Sequence, residues 1–88
     1  MIDVIIPVYH PDVSFRTILQ RLDQQSMRPE RIILINTEKQ FWKPELAFGL
    51  EQVEVYHISK EEFDHAATRR RAAELSKAEY MMFLTQDA

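Results

Sequence analysis

Apolar residues fall in short runs along this chain, separated by polar turns and by one stretch of clear helical spacing. Ile2 to Tyr9 is largely β-branched and predicts a central parallel strand. Pro7 lacks an amide hydrogen, so it should stand where ladder pairing is already ending. His10-Pro11-Asp12 predicts a turn, with Asp12 as the N-cap of a helix whose apolar face is Phe15, Ile18, Leu19 and Leu22. Arg16, Gln20, Arg21, Asp23 and Gln24 take the wet side. Met27-Arg28-Pro29 ends that helix, and Arg31 to Ile35 predicts a second buried strand stopping at Asn36-Thr37-Glu38.

The pattern weakens from Lys39 to Leu50, where Phe41, Trp42, Leu46 and Phe48 surround Pro44 and precede Gly49. A loop or short helix lying over the sheet is expected there. Val53 to Ile58 reads as a third strand, and Glu54 and His57 within it favour an edge position. A second helix follows, roughly His65 to Lys77. Tyr80 to Leu84 is an unbroken apolar run that predicts a closing strand buried on both faces, with Thr85, Gln86 and Asp87 at its polar tip.

This order of elements predicts an α/β fold: a Rossmann-like, three-layer arrangement on a mostly parallel sheet of about four strands, in the order 3-2-1-4. The order reverses between strands one and four. Ligands of open α/β sheets bind beyond the strand carboxyl ends at such a reversal, and Tyr9, Asn36 and Asp87 would gather there.

On the second helix, at about 100° per residue, Leu75, Thr68, Ala72, Ser76, Ala73 and Ala66 share a broad face suited to close packing on the sheet. Arg70, Arg71, Glu74 and Lys77 fall on or near the opposite side. Arg69 falls within the small-residue face, near the helix start. A guanidinium there needs an anion or several acceptors; a structural salt bridge to Asp64 or Asp87 and a phosphate contact are both open.

Composition narrows the classes. With 88 residues the chain is one small domain, and a net charge of −3 argues against a protein that coats nucleic acid. The absence of cysteine removes disulfide scaffolds, cysteine zinc sites and thiol catalysis. No apolar stretch reaches membrane-spanning length, and the N-terminus starts a strand, so a cytoplasmic protein is expected.

Four pieces carry a family resemblance: Val4-Ile5-Ile6-Pro7-Val8-Tyr9, the strand ending in Asn36-Thr37, Phe63-Asp64-His65-Ala66-Ala67-Thr68-Arg69, and Phe83-Leu84-Thr85-Gln86-Asp87-Ala88. In this order the chain resembles the N-terminal half of a family 2 glycosyltransferase of the GT-A fold, in its bacterial rhamnosyltransferase branch. The resemblance implies transfer of a sugar, in that branch rhamnosyl, from a nucleotide donor to a saccharide or lipid-linked acceptor hydroxyl, as in cell-surface polysaccharide biosynthesis. It implies that Pro7 and Tyr9 line a base pocket, that Asn36 and Thr37 read base edges and ribose, and that His65, Arg69 and Gln86 complete the nucleotide-binding set. Neither Asn36 nor Thr37 is acidic, although the family favours acids at that tip. Ala66 stands where glycine is common, and Arg70 where asparagine is common.

Thr85-Gln86-Asp87 occupies the place of an Asp-X-Asp motif, which implies a Mg²⁺ or Mn²⁺ ion held by Asp87, with Thr85 replacing the first acid. The catalytic base of an inverting displacement is not assignable, because its expected position lies past Ala88. Residues 1–88 are therefore expected to be a single partial domain, a donor-binding half whose acceptor half is absent. A small nucleotide-binding protein without chemistry, and a structural α/β module that self-associates through its last strand, stand as the alternatives.

Overall fold

The computed structural model describes residues 2–25, 28–61, 70–71, 73–76, 80–84 and 86. The start of the second helix, with His65, Thr68 and Arg69, lies outside these residues, as do Ala72, Lys77, Thr85 and Asp87. Strand β1 spans Ile2–Tyr9, helix α1 Val13–Asp23, β2 Arg31–Thr37, β3 Val53–Ile58 and β4 Tyr80–Phe83. All pairings are parallel, and the strands lie in the order β3-β2-β1-β4. That is the predicted order, with β3 at an edge as its mixed pattern required.

Two apolar layers form on the faces of β1 and β2. On one face Val4, Ile6, Val8, Ile32 and Leu34 pack with Phe15, Leu19 and Leu22 of α1, and Ile18 and Trp42 join them. On the other, Ile5, Ile33, Ile35 and Ile58 form a second cluster that Tyr56 and Leu75 flank. Burial of such side chains contributes about 1.5–3 kcal/mol each, so these two strands dominate the stability of the sheet.

Helix α1 starts where Asp12 accepts hydrogen bonds from the Ser14 amide at 3.0 Å and the Ser14 hydroxyl at 2.5 Å. These bonds satisfy a donor that the first helical turn leaves open, and they hold the Asp12 carboxyl below its ordinary value. From its partly buried side, Arg16 donates to the carbonyl oxygens of Glu45, Leu46 and Phe48 at 2.8, 3.1 and 3.0 Å. The guanidinium thus clamps the loop predicted to lie over the sheet. That loop holds two short 3-10 turns, Lys39–Phe41 and Pro44–Ala47, and Gly49 takes φ +81° where it turns toward β3.

Pro7 sits as expected on one side only. Ile5 presents its carbonyl to the Leu84 amide, so alternate β1 residues direct their backbone groups toward β4. The β1–β4 register ends at Ile5, whereas pairing with β2 continues to Tyr9. Pro7 therefore lacks its amide hydrogen where no β4 acceptor is registered opposite it.

Two expectations fail. Strand β4 is not buried on both faces: Tyr80, Met81, Met82 and Phe83 are 65, 40, 47 and 38 % exposed. Among the described residues it is the outermost strand, paired with β1, and α1 lies over β1 and β2 instead. Among the described residues no further strand lies beyond it. On the second helix, whose residues 70, 71 and 73–75 are helical, Leu75 faces the sheet but Ala73 is exposed. Ser76 is partly buried, and Ala66, Thr68 and Ala72 of the same predicted face lie outside the described residues. Arg70, Arg71 and Glu74 are exposed as predicted.

A polar network closes the amino-terminal end of the second face. Asp3, 1 % exposed, accepts from the Ser76 hydroxyl at 2.6 Å and lies 3.8 Å from Arg31. Arg31 grips Glu54 through two bonds of 2.5 and 2.7 Å and donates to the Leu75 carbonyl at 3.0 Å. The guanidinium holds the Glu54 carboxyl below the usual range, and the Tyr56 hydroxyl, donating to Glu54 at 2.8 Å, is raised above its own.

Candidate functional site

The parallel ladder brings the carboxyl ends of the strands to one edge, and there Tyr9 stands beside Thr37 in register, and Asn36 beside His57. Tyr9 is 43 % exposed, and its backbone amide donates to Gln86 Oε1 at 2.7 Å. That bond crosses the reversal of strand order and joins two residues far apart in the chain. Pro7 lies two residues back, partly buried.

Beyond Tyr9 the backbone reverses through His10, a non-glycine residue at φ 50°. Such a conformation is uncommon outside glycine and needs support from its surroundings. Rings supply it: His10 lies against Phe41 at 3.6 Å between centroids and edge-on to Tyr9 at 4.2 Å. Tyr9 and Phe41 meet edge-to-face at 6.5 Å. The edge therefore presents an aromatic group, of which the sequence pattern alone points to Tyr9.

Asn36 and Thr37 lie deeper than their assigned role suggested. They are 0 and 2 % exposed, and Asn36 Oδ1 and Thr37 Oγ1 have no hydrogen-bond partner among the described residues. Asn36 Nδ2 is 3.3 Å from the Glu38 carbonyl oxygen and 3.1 Å from His57 Nδ1. Glu38 is itself unusual, with φ 68°, and its amide ties β2 to β3 by donating to the Ile58 carbonyl at 2.7 Å. Burial, and after it the Lys39 ammonium, pushes the His57 imidazole below its ordinary value of 6.5.

Concavities lined by described residues flank this edge. One, of about 540 Å³, lies past the ends of β2 and β3 and is lined by Glu38, Lys39, Gln40 and residues 57–61. Another, of about 500 Å³, runs along the start of α1 to Gln86. The first was not anticipated, because His57 had served only to mark an edge strand. Its position opposite Asn36 depends on the β2–β3 register, which no local pattern specifies.

Of the predicted site residues, the structure brings Pro7, Tyr9, Asn36, Thr37 and Gln86 to one sheet edge, while His65, Arg69 and Asp87 lie outside the described residues. No group of three or more His, Asp or Glu among the described residues is placed to hold a metal ion. No helix among them is long and apolar enough to cross a membrane.

Comparison with known proteins gives one informative similarity. The chain is 32% identical over 88 residues to the O-antigen chain rhamnosyltransferase RfbN of Salmonella typhimurium strain LT2. The match covers 99% of this chain but only 28% of that protein's length. No protein-family model matches the chain. No solved structure matches it either.

Proposed function

We propose that this chain is the donor-binding segment of a family 2, GT-A-type glycosyltransferase, which holds a nucleoside diphosphate sugar for transfer to an acceptor hydroxyl. The similarity to a rhamnosyltransferase along nearly the whole chain carries this reading, and rhamnosyl is the sugar it favours. The sheet supports it: strand order reverses between β1 and β4, and the Tyr9–Gln86 hydrogen bond lies at that reversal, where α/β sheets take ligands. Tyr9 offers a partly exposed ring for stacking on a base. Pro7, Asn36 and Thr37 shape the floor beneath it, and His65 and Arg69 belong on the phosphate side.

In the inverting reaction, the bond from the anomeric carbon to the diphosphate breaks as the acceptor oxygen attacks from the opposite face. The acceptor proton passes to a general base. Asp87, with waters and diphosphate oxygens, is the residue to hold Mg²⁺ or Mn²⁺, which would neutralise the departing diphosphate. Titration calorimetry of the folded chain with a nucleoside diphosphate, with and without Mg²⁺, tests the reading. Weak binding strengthened by the cation is expected. A folded sample that shows no heat at millimolar nucleotide overturns it.

A further inference from the structure

Asn36 and His57 constrain one another in a way that fixes a proton. The Asn36 amide has one orientation that suits its surroundings. With Nδ2 toward Glu38 and His57, its hydrogens meet the Glu38 carbonyl oxygen at 3.3 Å and His57 Nδ1 at 3.1 Å. Turned over, the amide oxygen would face that carbonyl oxygen, two acceptors with no hydrogen between them. An amide NH₂ can only donate, so His57 Nδ1 must accept. The proton of the neutral ring is then on Nε2.

A second proton, on Nδ1, would meet the Asn36 donor head-on. Burial and Lys39 oppose it as well. His57 therefore enters neutral conditions as an uncharged ring with a single N–H of defined position, on a side chain that lines the cleft past β2 and β3. Among the described residues the charged groups facing that cleft offset one another: Lys39 and Lys60 against Glu38 and Glu61, with Gln40 and Ser59 uncharged. A balanced wall of this kind does not select a polyanion. Its volume, about 540 Å³, falls within the range of small-molecule sites, about 300–1,000 Å³.

We propose that this cleft takes an uncharged nucleobase edge, and that His57, held by Asn36 as the Nε2–H tautomer, is the specificity-determining donor to an acceptor atom on it. The inference rests on the nucleotide reading above and assigns Asn36 a positioning role, exerted through His57 from a buried place. It also accounts for a residue of β2 that is fully buried yet sits at the ligand edge.

The test is ¹⁵N-resolved NMR of the histidine rings, alone and with uridine, adenosine or a nucleoside diphosphate, alongside affinities for His57→Gln and His57→Phe. The wild-type ring is expected to show Nε2 protonated and Nδ1 bare at pH 7, with Nε2 shifting on nucleoside addition. His57→Phe should weaken nucleoside binding about tenfold, the worth of one hydrogen bond, and His57→Gln, which keeps a donor, by less. Wild-type affinity should hold through the ordinary imidazole range and fall only as the pH drops through the lowered His57 value, because protonation breaks the Asn36 contact. A proton on Nδ1 overturns the inference. So does diphosphate binding that is unchanged in both variants, and that result leaves the nucleotide reading standing. Failure of the folded wild type to bind either ligand overturns both.

Discussion

Replacing Arg31 with glutamine should unsettle the whole second face of the sheet. The guanidinium is 3.8 Å from Asp3, a carboxylate only 1 % exposed, whose Oδ1 has no hydrogen-bond partner among the described residues. Two unit charges at that separation attract by about 4 kcal/mol at an effective dielectric constant of about 20. Asp3 keeps its Ser76 hydroxyl, and Arg31 is itself a quarter exposed, which trims the loss. Removing one partner of a largely buried pair costs about 3 kcal/mol, and that is the decrease expected here. Glu54 and the Leu75 carbonyl also lose donors, so helix docking should loosen.

Urea denaturation followed by circular dichroism measures the loss, with an unchanged slope as the sign that unfolding exposes the same surface. Adding Asp3→Asn to Arg31→Gln should restore at least about 1 kcal/mol, because an amide needs no cation. The acid limb offers a second reading of the same network. The Glu54 carboxyl is held low chiefly by its Arg31 hydrogen bonds. Its contribution to stability is therefore present above the ordinary carboxylate value and lost as pH falls through the depressed folded one. Arg31→Gln should flatten that loss. A decrease below about 1 kcal/mol, with the acid limb unchanged, would refute the argument that this cation holds the buried carboxylate.

Arg16→Ala should cost about 2 kcal/mol in thermal or urea unfolding, since three carbonyl oxygens lose a charged donor; Arg16→Lys should not restore it, having no planar fork. Gly49→Ala should cost about 1 kcal/mol from its positive φ alone, because nothing lies within 4 Å of an added Cβ; a cost above about 3 kcal/mol would show a hidden clash. The exposed apolar strand β4, at the end of the sheet among the described residues, should drive concentration-dependent self-association in sedimentation. Met82→Lys should reduce that association, and a wild type that stays monomeric at high concentration would show that the edge is protected.

Helix α1 and the three strands up to β3 were legible because their signals are local. Asp12 caps, Phe15, Leu19 and Leu22 repeat at helical spacing, and the isoleucines of β1 and β2 leave little choice but a buried sheet. Strand order followed from connection rules. Burial of β4 did not, since a run of Tyr, Met and Phe looks the same whether a neighbour covers it or not. The site was legible where one strand tip sufficed, as at Tyr9. It was illegible where two strands had to be aligned: the contact of Asn36 with His57, and of His10 with Phe41, exists only through the sheet register and a left-handed turn. Arg31 was missed for the same reason, its partners being supplied by β1, β3 and the second helix.

The central claim is that a nucleotide binds at the carboxyl edge of this sheet, and amide NMR of the ¹⁵N-labelled chain titrated with a nucleoside diphosphate and Mg²⁺ tests it most directly. The account predicts saturable shifts concentrated at Tyr9, Gln86, His57 and Arg69, with the amino-terminal network around Asp3 and Arg31 unmoved. A folded chain whose spectrum does not change at millimolar nucleotide, or whose shifts cluster at the amino-terminal edge, would contradict it.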